Sequence, residues 1–185
     1  MSRAVFAAFP LAVACAPSQS FRPASLDHNP HSHEMGLAFS SVEPRPYVEE
    51  PTQRIGQGWW TTGLGDRWSL SAVAAFDTSS IVGGGALRMS VARSRRVALA
   101  VEFEAGLFYA GLSVPVALGL WPGGALYCSP RLGNWGPDIT PFLPCGLSVD
   151  ILDGLSLRAE GQVSWAEFLY YNRRVHWGFA VAHQW

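Results

Sequence analysis

Three side chains of a hydrolytic set occur close together near the C-terminus. Ser164, His176 and Glu160 have the chemistry of a nucleophile, a general base and a carboxylate that orients the base. Their alternation places them on one face of two consecutive predicted strands, where Ser164 and His176 could be neighbours. No nucleophile motif surrounds Ser164, so the sequence favours a structural role for this set over catalysis.

A histidine-rich stretch, D-H-N-P-H-S-H-E, offers metal-ligand chemistry. The side chains in it that can bind zinc or copper are Asp27, His28, His31, His33 and Glu34. The surrounding segment is rich in Pro, Ser and Asn and has no hydrophobic period, so no rigid element holds the ligands together. We expect a solvated tether here, no metal site, and no cofactor anywhere in the chain.

Charged side chains within apolar runs form a third set. In V-A-L-A-V-E-F-E-A-G-L the alternation puts Glu102 and Glu104 on one face and the large apolar side chains on the other. If A-R-S-R-R forms a hairpin with an odd number of loop residues, Arg88 falls opposite Glu102, and opposite charges at that spacing attract. The predicted cluster of charges that face a barrel lumen is Arg88, Glu102, Glu104, Asp150, Arg158 and Glu160.

Two interpretations of these charges remain open. The favoured one is that they neutralise each other and fill the interior of a small barrel. The alternative is a path for an ion or a solute, because a barrel of this size can hold side chains or at most one small ligand or a narrow pore.

The elements that position these residues are predicted to be strands. Hydrophobic residues make up 49% of the chain, yet no run approaches the roughly 18 to 20 apolar residues of a spanning helix. The polar faces of the alternating segments are mostly Ala, Gly and Ser, and the chain has no Lys, which makes a poor water-facing exterior but a reasonable narrow lumen. Apolar rows that face lipid are therefore favoured over a soluble lipocalin-like carrier with its apolar rows inside.

Short and longer connections alternate along the chain. G-L-G-D-R, A-R-S-R-R, W-P-G-G-A and L-D-G-L have the Gly, Asp and Pro of tight hairpins, and generally longer links lie between them. We predict an all-β fold, a closed antiparallel up-and-down transmembrane β-barrel over 34–185 with about ten strands, or eight as the alternative. An even count puts both termini on one side, the periplasmic side.

Aromatic residues and the C-terminus agree with this architecture. The predicted aromatic girdles comprise Trp68, Phe76, Trp165, Trp177 and Trp185. The closing V-x-W-x-F-x-V-x-H-x-W resembles the C-terminal assembly signal of bacterial outer-membrane barrels, although His183 stands where an apolar residue is usual. The resemblance implies the outer membrane as location, with membrane lipid and the barrel-assembly machinery as partners. It concerns small outer-membrane barrels as an architecture and no single functional family.

The N-terminus predicts export. Residues 1–14 read as a signal peptide, and L-A-V-A-C resembles a bacterial lipoprotein signal in which Cys15 is acylated, with Leu11 one place further from the Cys than is usual. An ordinary secretory signal is the alternative. Residues 15–33 are expected to form a lipidated, flexible tether.

Export leaves Cys128 and Cys145 as a pair in an oxidising compartment. We predict a disulfide between them, with two buried thiols as the alternative. The bond would staple the longest external loop, whose Trp135 and Asp138 are the expected contacts for a partner.

The predicted function is a structural, adhesive or scaffolding role for other envelope proteins. A net charge of −1 gives no reason to expect nucleic-acid binding. A narrow, porin-like channel is the second candidate, a lipid- or peptide-modifying membrane hydrolase the third, and the soluble carrier the fourth.

Overall fold

The structure is a computed structural model. It describes residues 21–24, 31–43, 52–76, 81–106, 109–135, 139–165 and 173–185, apart from the side chains of 134, 135, 140, 163–165 and 173–175. No helix within these ranges is long and apolar enough to cross a membrane.

The described chain forms twelve strand segments. These are β1 (His33–Val42), β2 (Gln53–Gly63), β3 (Trp68–Phe76), β4 (Ile81–Arg93), β5 (Val97–Gly106), β6 (Tyr109–Ser113), β7 (Val116–Trp121), β8 (Gly124–Cys128), β9 (Arg131–Trp135), β10 (Ile139–Leu152), β11 (Leu155–Trp165) and β12 (Arg173–Gln184). Segments β6 and β7 are two parts of one spanning strand, and so are β8 and β9, because each pair shares the same neighbours. The barrel therefore has ten spanning strands.

The sheet closes on itself. Each of the ten spanning strands pairs antiparallel with the next one along the chain, and the last, β12, pairs with β1. The predicted ten-stranded, closed antiparallel barrel is confirmed, and the eight-stranded alternative is wrong. The weakly patterned first strand belongs to the barrel and runs from His33 to Val42.

The apolar rows face outward and the polar rows face the bore. Within β5, Glu102 is fully buried while Phe103 next to it is 53% exposed. The same alternation exposes Leu37 and Phe179 and buries Ala180. A soluble protein would hide such large apolar side chains, whereas a barrel in lipid presents them. The soluble carrier with its apolar rows inside is therefore wrong.

One end of the barrel, here called the turn end, carries the tight hairpins. Three of its turns contain a glycine in the left-handed region, Gly65, Gly123 and Gly154, a conformation that residues with a side chain rarely adopt. The first and last strands also meet here, because His33 and Trp185 exchange two backbone hydrogen bonds of 2.9 and 3.0 Å. The opposite end is called the loop end.

Exposed aromatic side chains lie toward both ends. Trp68 and Trp185 are exposed at the turn end, and Phe76 and Trp177 are exposed on the loop-end halves of their strands. Trp165 ends β11, and its side chain lies outside the described residues. For the four described side chains, the placement agrees with two girdles at the boundaries of an apolar band.

Three prolines interrupt the wall at one level. The break between β6 and β7 contains Pro115, and the break between β8 and β9 contains Pro130. Pro144 lies beside them in β10. Their carbonyls accept hydrogen bonds from neighbouring strands, as in Ser129 N to Pro144 O at 2.8 Å. Proline has no N–H to donate, so this row has fewer ladder hydrogen bonds than the rest of the wall.

The Cys128–Cys145 disulfide joins two strands next to this proline row. The predicted bond is confirmed, and its residues are direct cross-strand neighbours on the outward face. The enclosed segment is mostly strand, because β9 and β10 pair from Arg131 to Phe142. The disulfide therefore braces the wall and does not staple a long loop. Asp138 and the side chain of Trp135 lie outside the described residues.

Loss of the disulfide should weaken the wall. In the Cys128→Ser/Cys145→Ser variant, we expect the free energy of unfolding in detergent micelles to fall by about 1–3 kcal/mol, since a cross-link closing a loop of this size is worth about 3 kcal/mol. Urea titration measures it. Dithiothreitol should lower the stability of the wild type to the variant's value and leave the variant unchanged; an unchanged wild type would contradict the bracing role.

Arginine substitutions at two depths test whether the outward face contacts lipid. Phe179→Arg, halfway along β12, should destabilise the barrel in lipid vesicles by about 2–4 kcal/mol, and Val97→Arg, at the turn end of β5, by about 0–1 kcal/mol. Both positions are exposed apolar residues, so the depth of the charge is the main difference. Equal effects in urea titrations of the two variants would argue against lipid around this wall.

Candidate functional site

Charged side chains concentrate inside the bore. Within the described part of the chain, the bore network contains four arginines and four glutamates. They are Arg22, Arg88, Arg131, Arg158, Glu34, Glu102, Glu104 and Glu160. These charges are supplied by β1, β4, β5, β9 and β11 and by a segment that precedes the first strand. Small side chains on the bore-facing rows leave the space that they occupy.

The first ion-pair cluster is centred on β5. The β4–β5 register places Arg88 opposite Glu102 and Ala86 opposite Glu104. Arg88 Nε donates to Glu102 Oε2 at 2.8 Å, and Arg131 Nη1 lies 3.6 Å from Glu104 Oε2. Because the strand's other face is apolar and points outward, both carboxylates must be neutralised inside.

The second cluster joins β11 to β1. Arg158 makes a two-pronged contact with Glu34, Nη2 to Oε2 at 2.6 Å and Nη1 to Oε1 at 3.0 Å, and Trp59 Nε1 donates to the same carboxylate at 2.8 Å. Asp150, predicted to belong to this cluster, is exposed at the turn end, where it lines a cavity with Arg158. Glu34 makes the close pair instead.

Four residues before the first strand lie inside the barrel. They are Phe21–Ala24, here called the plug. Phe21 is fully buried and Arg22 is 4% exposed, and the Phe21 ring stacks parallel to the Trp59 indole with centroids 6.4 Å apart. Gly36 makes room for that indole, because a Cβ at this position would clash with it. The segment 15–33 was expected to be a flexible tether, and its residues 21–24 are instead enclosed.

The bore charges bind the main chain of the plug. Glu160 Oε2 accepts from the Phe21 N–H at 2.9 Å, and Arg158 Nη1 donates to the Phe21 carbonyl at 2.6 Å. Arg88 donates to the carbonyls of Arg22 and Pro23 at 2.8 and 2.7 Å. Charge-assisted hydrogen bonds of this kind are among the stronger ones in proteins.

The side chain of Arg22 completes the β5 cluster. Its Nη2 lies 3.0 Å from Glu102 Oε1 and 3.6 Å from Glu104 Oε1. Two buried carboxylates two residues apart on one strand repel each other, and a guanidinium between them offsets that repulsion. The plug therefore contributes a charge that the wall requires.

A cavity of about 460 Å³ adjoins the plug at the turn end of the bore. Pro23 and Ala24 form one side of it, and Arg96, Trp121 and Asp150 are among the residues on the other sides. The plug thus fills the middle of the bore and leaves space beside it at this mouth.

Of the three residues weighed as a hydrolytic set, the structure describes the side chains of Glu160 and His176. Glu160 holds the plug's main chain, and His176 is buried opposite Gln162. Ser164 faces Arg174 in the register, and its side chain lies outside the described residues.

The two last residues of the histidine-rich stretch, which was expected to be a solvated tether, lie on opposite faces of β1. His33 lies between the rings of Trp60 and Trp185 at 6.1 and 5.9 Å, while Glu34 points into the bore. His31 is exposed, and Asp27 and His28 lie outside the described residues. Among the residues that the structure describes, no group of three His, Cys, Asp or Glu could hold a metal ion.

Sequence reasoning missed the plug, but one signal pointed to it. The predicted lumen cluster held four acids and only two arginines, so the barrel needed further cations. The structure adds Arg131 from the wall and Arg22 from the plug. Phe21 was the one Phe, Tyr or Trp and Arg22 the one Arg or Lys in the predicted tether over 15–33.

Comparison with known proteins gives an architecture and no family. No protein-family model matches the chain, and no curated protein matches it. The translocator domain of the autotransporter NalP from Neisseria meningitidis matches with 9% identity and a TM-score of 0.49, over 85% of this chain and 90% of that one. Ail, the attachment invasion locus protein of Yersinia pestis, matches with 9% identity and a TM-score of 0.42, over 84% and 99%.

A third match is a de novo designed transmembrane β-barrel, with 11% identity and a TM-score of 0.47, covering 86% of this chain and 99% of the design. These three solved structures are small membrane β-barrels. At such identities and scores they carry no information about function.

Removal of the Arg22 guanidinium should destabilise the barrel. Arg22→Ala leaves Glu102 and Glu104 buried without the cation between them, and breaking a buried pair in this way costs about 3–5 kcal/mol. Urea titration in detergent micelles measures the loss. Arg54→Ala, at an exposed arginine on β2, is the matched control and should stay within about 0.5 kcal/mol of the wild type. Equal stabilities for the two variants would show that Arg22 is not held in the bore.

Proposed function

We propose that this chain is a bacterial outer-membrane β-barrel whose bore is closed by its own N-terminal plug. Its role is structural, adhesive or scaffolding in the cell envelope, with the β9–β10 hairpin presented at the loop end. The outward apolar rows, the aromatic residues toward both ends and the outer-membrane-like C-terminal strand support this location.

The observation that carries the closed state is the binding of Phe21–Ala24 by the bore charges. The arginines and glutamates that a channel would need along its path are engaged with one another and with the plug. A narrow channel is therefore disfavoured as the resting state. The same contacts occupy Glu160, which disfavours the hydrolase.

The orientation follows from the unequal connections. Short turns lie on the periplasmic side in outer-membrane barrels and longer loops on the outer side. The turn end, where β1 begins and Trp185 ends the chain, is then periplasmic. Acylation of Cys15, contact with the barrel-assembly machinery through β12 and contact with other envelope proteins belong to this proposal.

Planar-bilayer recording tests the closed state. The wild type should insert without stepwise conductance, because the plug fills the middle of the bore. Phe21→Ala/Arg22→Glu removes the stacking ring and places a third acid beside Glu102 and Glu104, so this variant should release the plug and conduct. Arg54→Glu is the control and should remain silent. Wild-type conductance equal to that of the double variant would contradict a plugged barrel.

A further inference from the structure

We propose that the bore is a binding site for an arginine-bearing segment of another exported polypeptide, and that the plug is the occupant supplied by the chain itself. This inference rests on the proposed function, because a released plug is what frees the site. The ligand class is defined by chemistry: a main chain that can accept and donate the plug's hydrogen bonds, an aromatic side chain and a guanidinium next to it.

The site contacts the plug in the manner of a peptide receptor. Four of its hydrogen bonds go to main-chain atoms, the N–H of Phe21 and the carbonyls of Phe21, Arg22 and Pro23. Such bonds do not depend on the side chains of the bound segment, only on its backbone conformation, in which Phe21 has a φ of 45°; side-chain pockets provide selectivity. The selective contacts are the Trp59 indole against Phe21 and the two carboxylates against Arg22.

The wall holds these groups in place through pairs of its own. Arg88 is fixed by Glu102, and Arg158 is fixed by Glu34, which in turn accepts from Trp59. None of these pairs includes a plug residue. A site whose groups are positioned in advance loses little side-chain entropy when a ligand binds, so it can bind a separate segment as well as a tethered one.

The charges select for a cation. Without Arg22, the bore network consists of Glu34, Glu102, Glu104 and Glu160 against three arginines, and Glu102 and Glu104 keep one arginine each, Arg88 and Arg131. A cation placed between these two carboxylates, where Arg22 lies, restores the balance of charge. A guanidinium presents several donors in a planar fork and can contact both carboxylates at once, which an ammonium on a flexible stem does less well. The site should therefore prefer arginine to lysine and reject glutamate.

A route to the site exists at the turn end. The cavity of about 460 Å³ adjoins Pro23 and Ala24 and lies between them and the turn-end mouth. Ser148, Asp150 and Gln184 are among its polar lining residues. A segment entering from this mouth would first meet Arg158, which lines the cavity and binds the carbonyl of Phe21.

Peptide binding to full-length Arg22→Glu in detergent tests the inference. The three acetylated, amidated and fluorescently labelled peptides have the sequences S-F-R-P-A, S-F-K-P-A and S-F-E-P-A, and fluorescence anisotropy gives their affinities. We expect S-F-R-P-A to bind at least tenfold more tightly than S-F-E-P-A, with S-F-K-P-A between them. The wild type should bind the arginine peptide at least tenfold more weakly than the variant, because its own plug occupies the site.

Two further variants complete the design. Adding Glu102→Gln to Arg22→Glu should remove most of the preference for arginine over glutamate, whereas adding the control Arg54→Ala should leave it. If Arg22→Glu does not give the heat-modifiable gel migration of a folded barrel, Arg22→Ala is used with the same peptides and the same expected preference.

Several outcomes would overturn the inference. They are no binding to either Arg22 variant, equal affinity for the arginine and glutamate peptides, and equal occupancy of the site by guanidinium ion alone at the peptide's concentration. If the wild-type protein does not conduct in the bilayer and any of these results is found, the plugged barrel stands and only the peptide-binding proposal fails. A conducting wild type instead removes the plugged barrel itself.

Discussion

The burial of Arg22 between Glu102 and Glu104 is the interaction on which the rest of the bore depends. The period-2 alternation of β5 requires that, if Phe103 faces outward, both glutamates face inward. Ionised carboxylates in a narrow bore need partners, since an unpaired buried charge is costly. Arg88 contacts Glu102 from β4, Arg131 contacts Glu104 from β9 on the other side of β5, and the plug supplies the third cation. The closed state of the barrel is thus a consequence of its outward apolar face.

The wall and the plug solve complementary packing problems. Bore-facing rows of Ala, Gly and Ser leave a cavity that a ten-stranded wall cannot fill by itself, and Phe21 occupies part of it against Trp59. On the other side of the barrel, the row of Pro115, Pro130 and Pro144 weakens the ladder. The Cys128–Cys145 disulfide crosses two strands at that level, so a covalent bond stands where hydrogen bonds are fewer.

The sequence predicted those features that follow from local alternation. Strand count, outward and inward faces, the opposition of Arg88 and Glu102 and the disulfide all depend on period and register, which short segments contain. The plug could not be predicted in this way, because Arg22 and Glu102 are 80 residues apart and the plug has no period. Glu34 was grouped with neighbouring histidines in a stretch expected to be a solvated tether, whereas the first strand's alternation turns it into the bore. The segment between the cysteines was expected to be a loop because of its Pro and Gly, and tertiary pairing of β9 with β10 and β6 overrode that local preference.

The location of the plug is the claim on which the account depends most. The most direct measurement is the reaction of a water-soluble maleimide with Phe21→Cys in a Cys15→Ser background, compared with Leu64→Cys at an exposed turn of the same barrel. A plug inside the bore predicts labelling of position 21 at least tenfold slower than position 64 in the folded protein, and equal rates after unfolding. Equal rates in the folded barrel would contradict it.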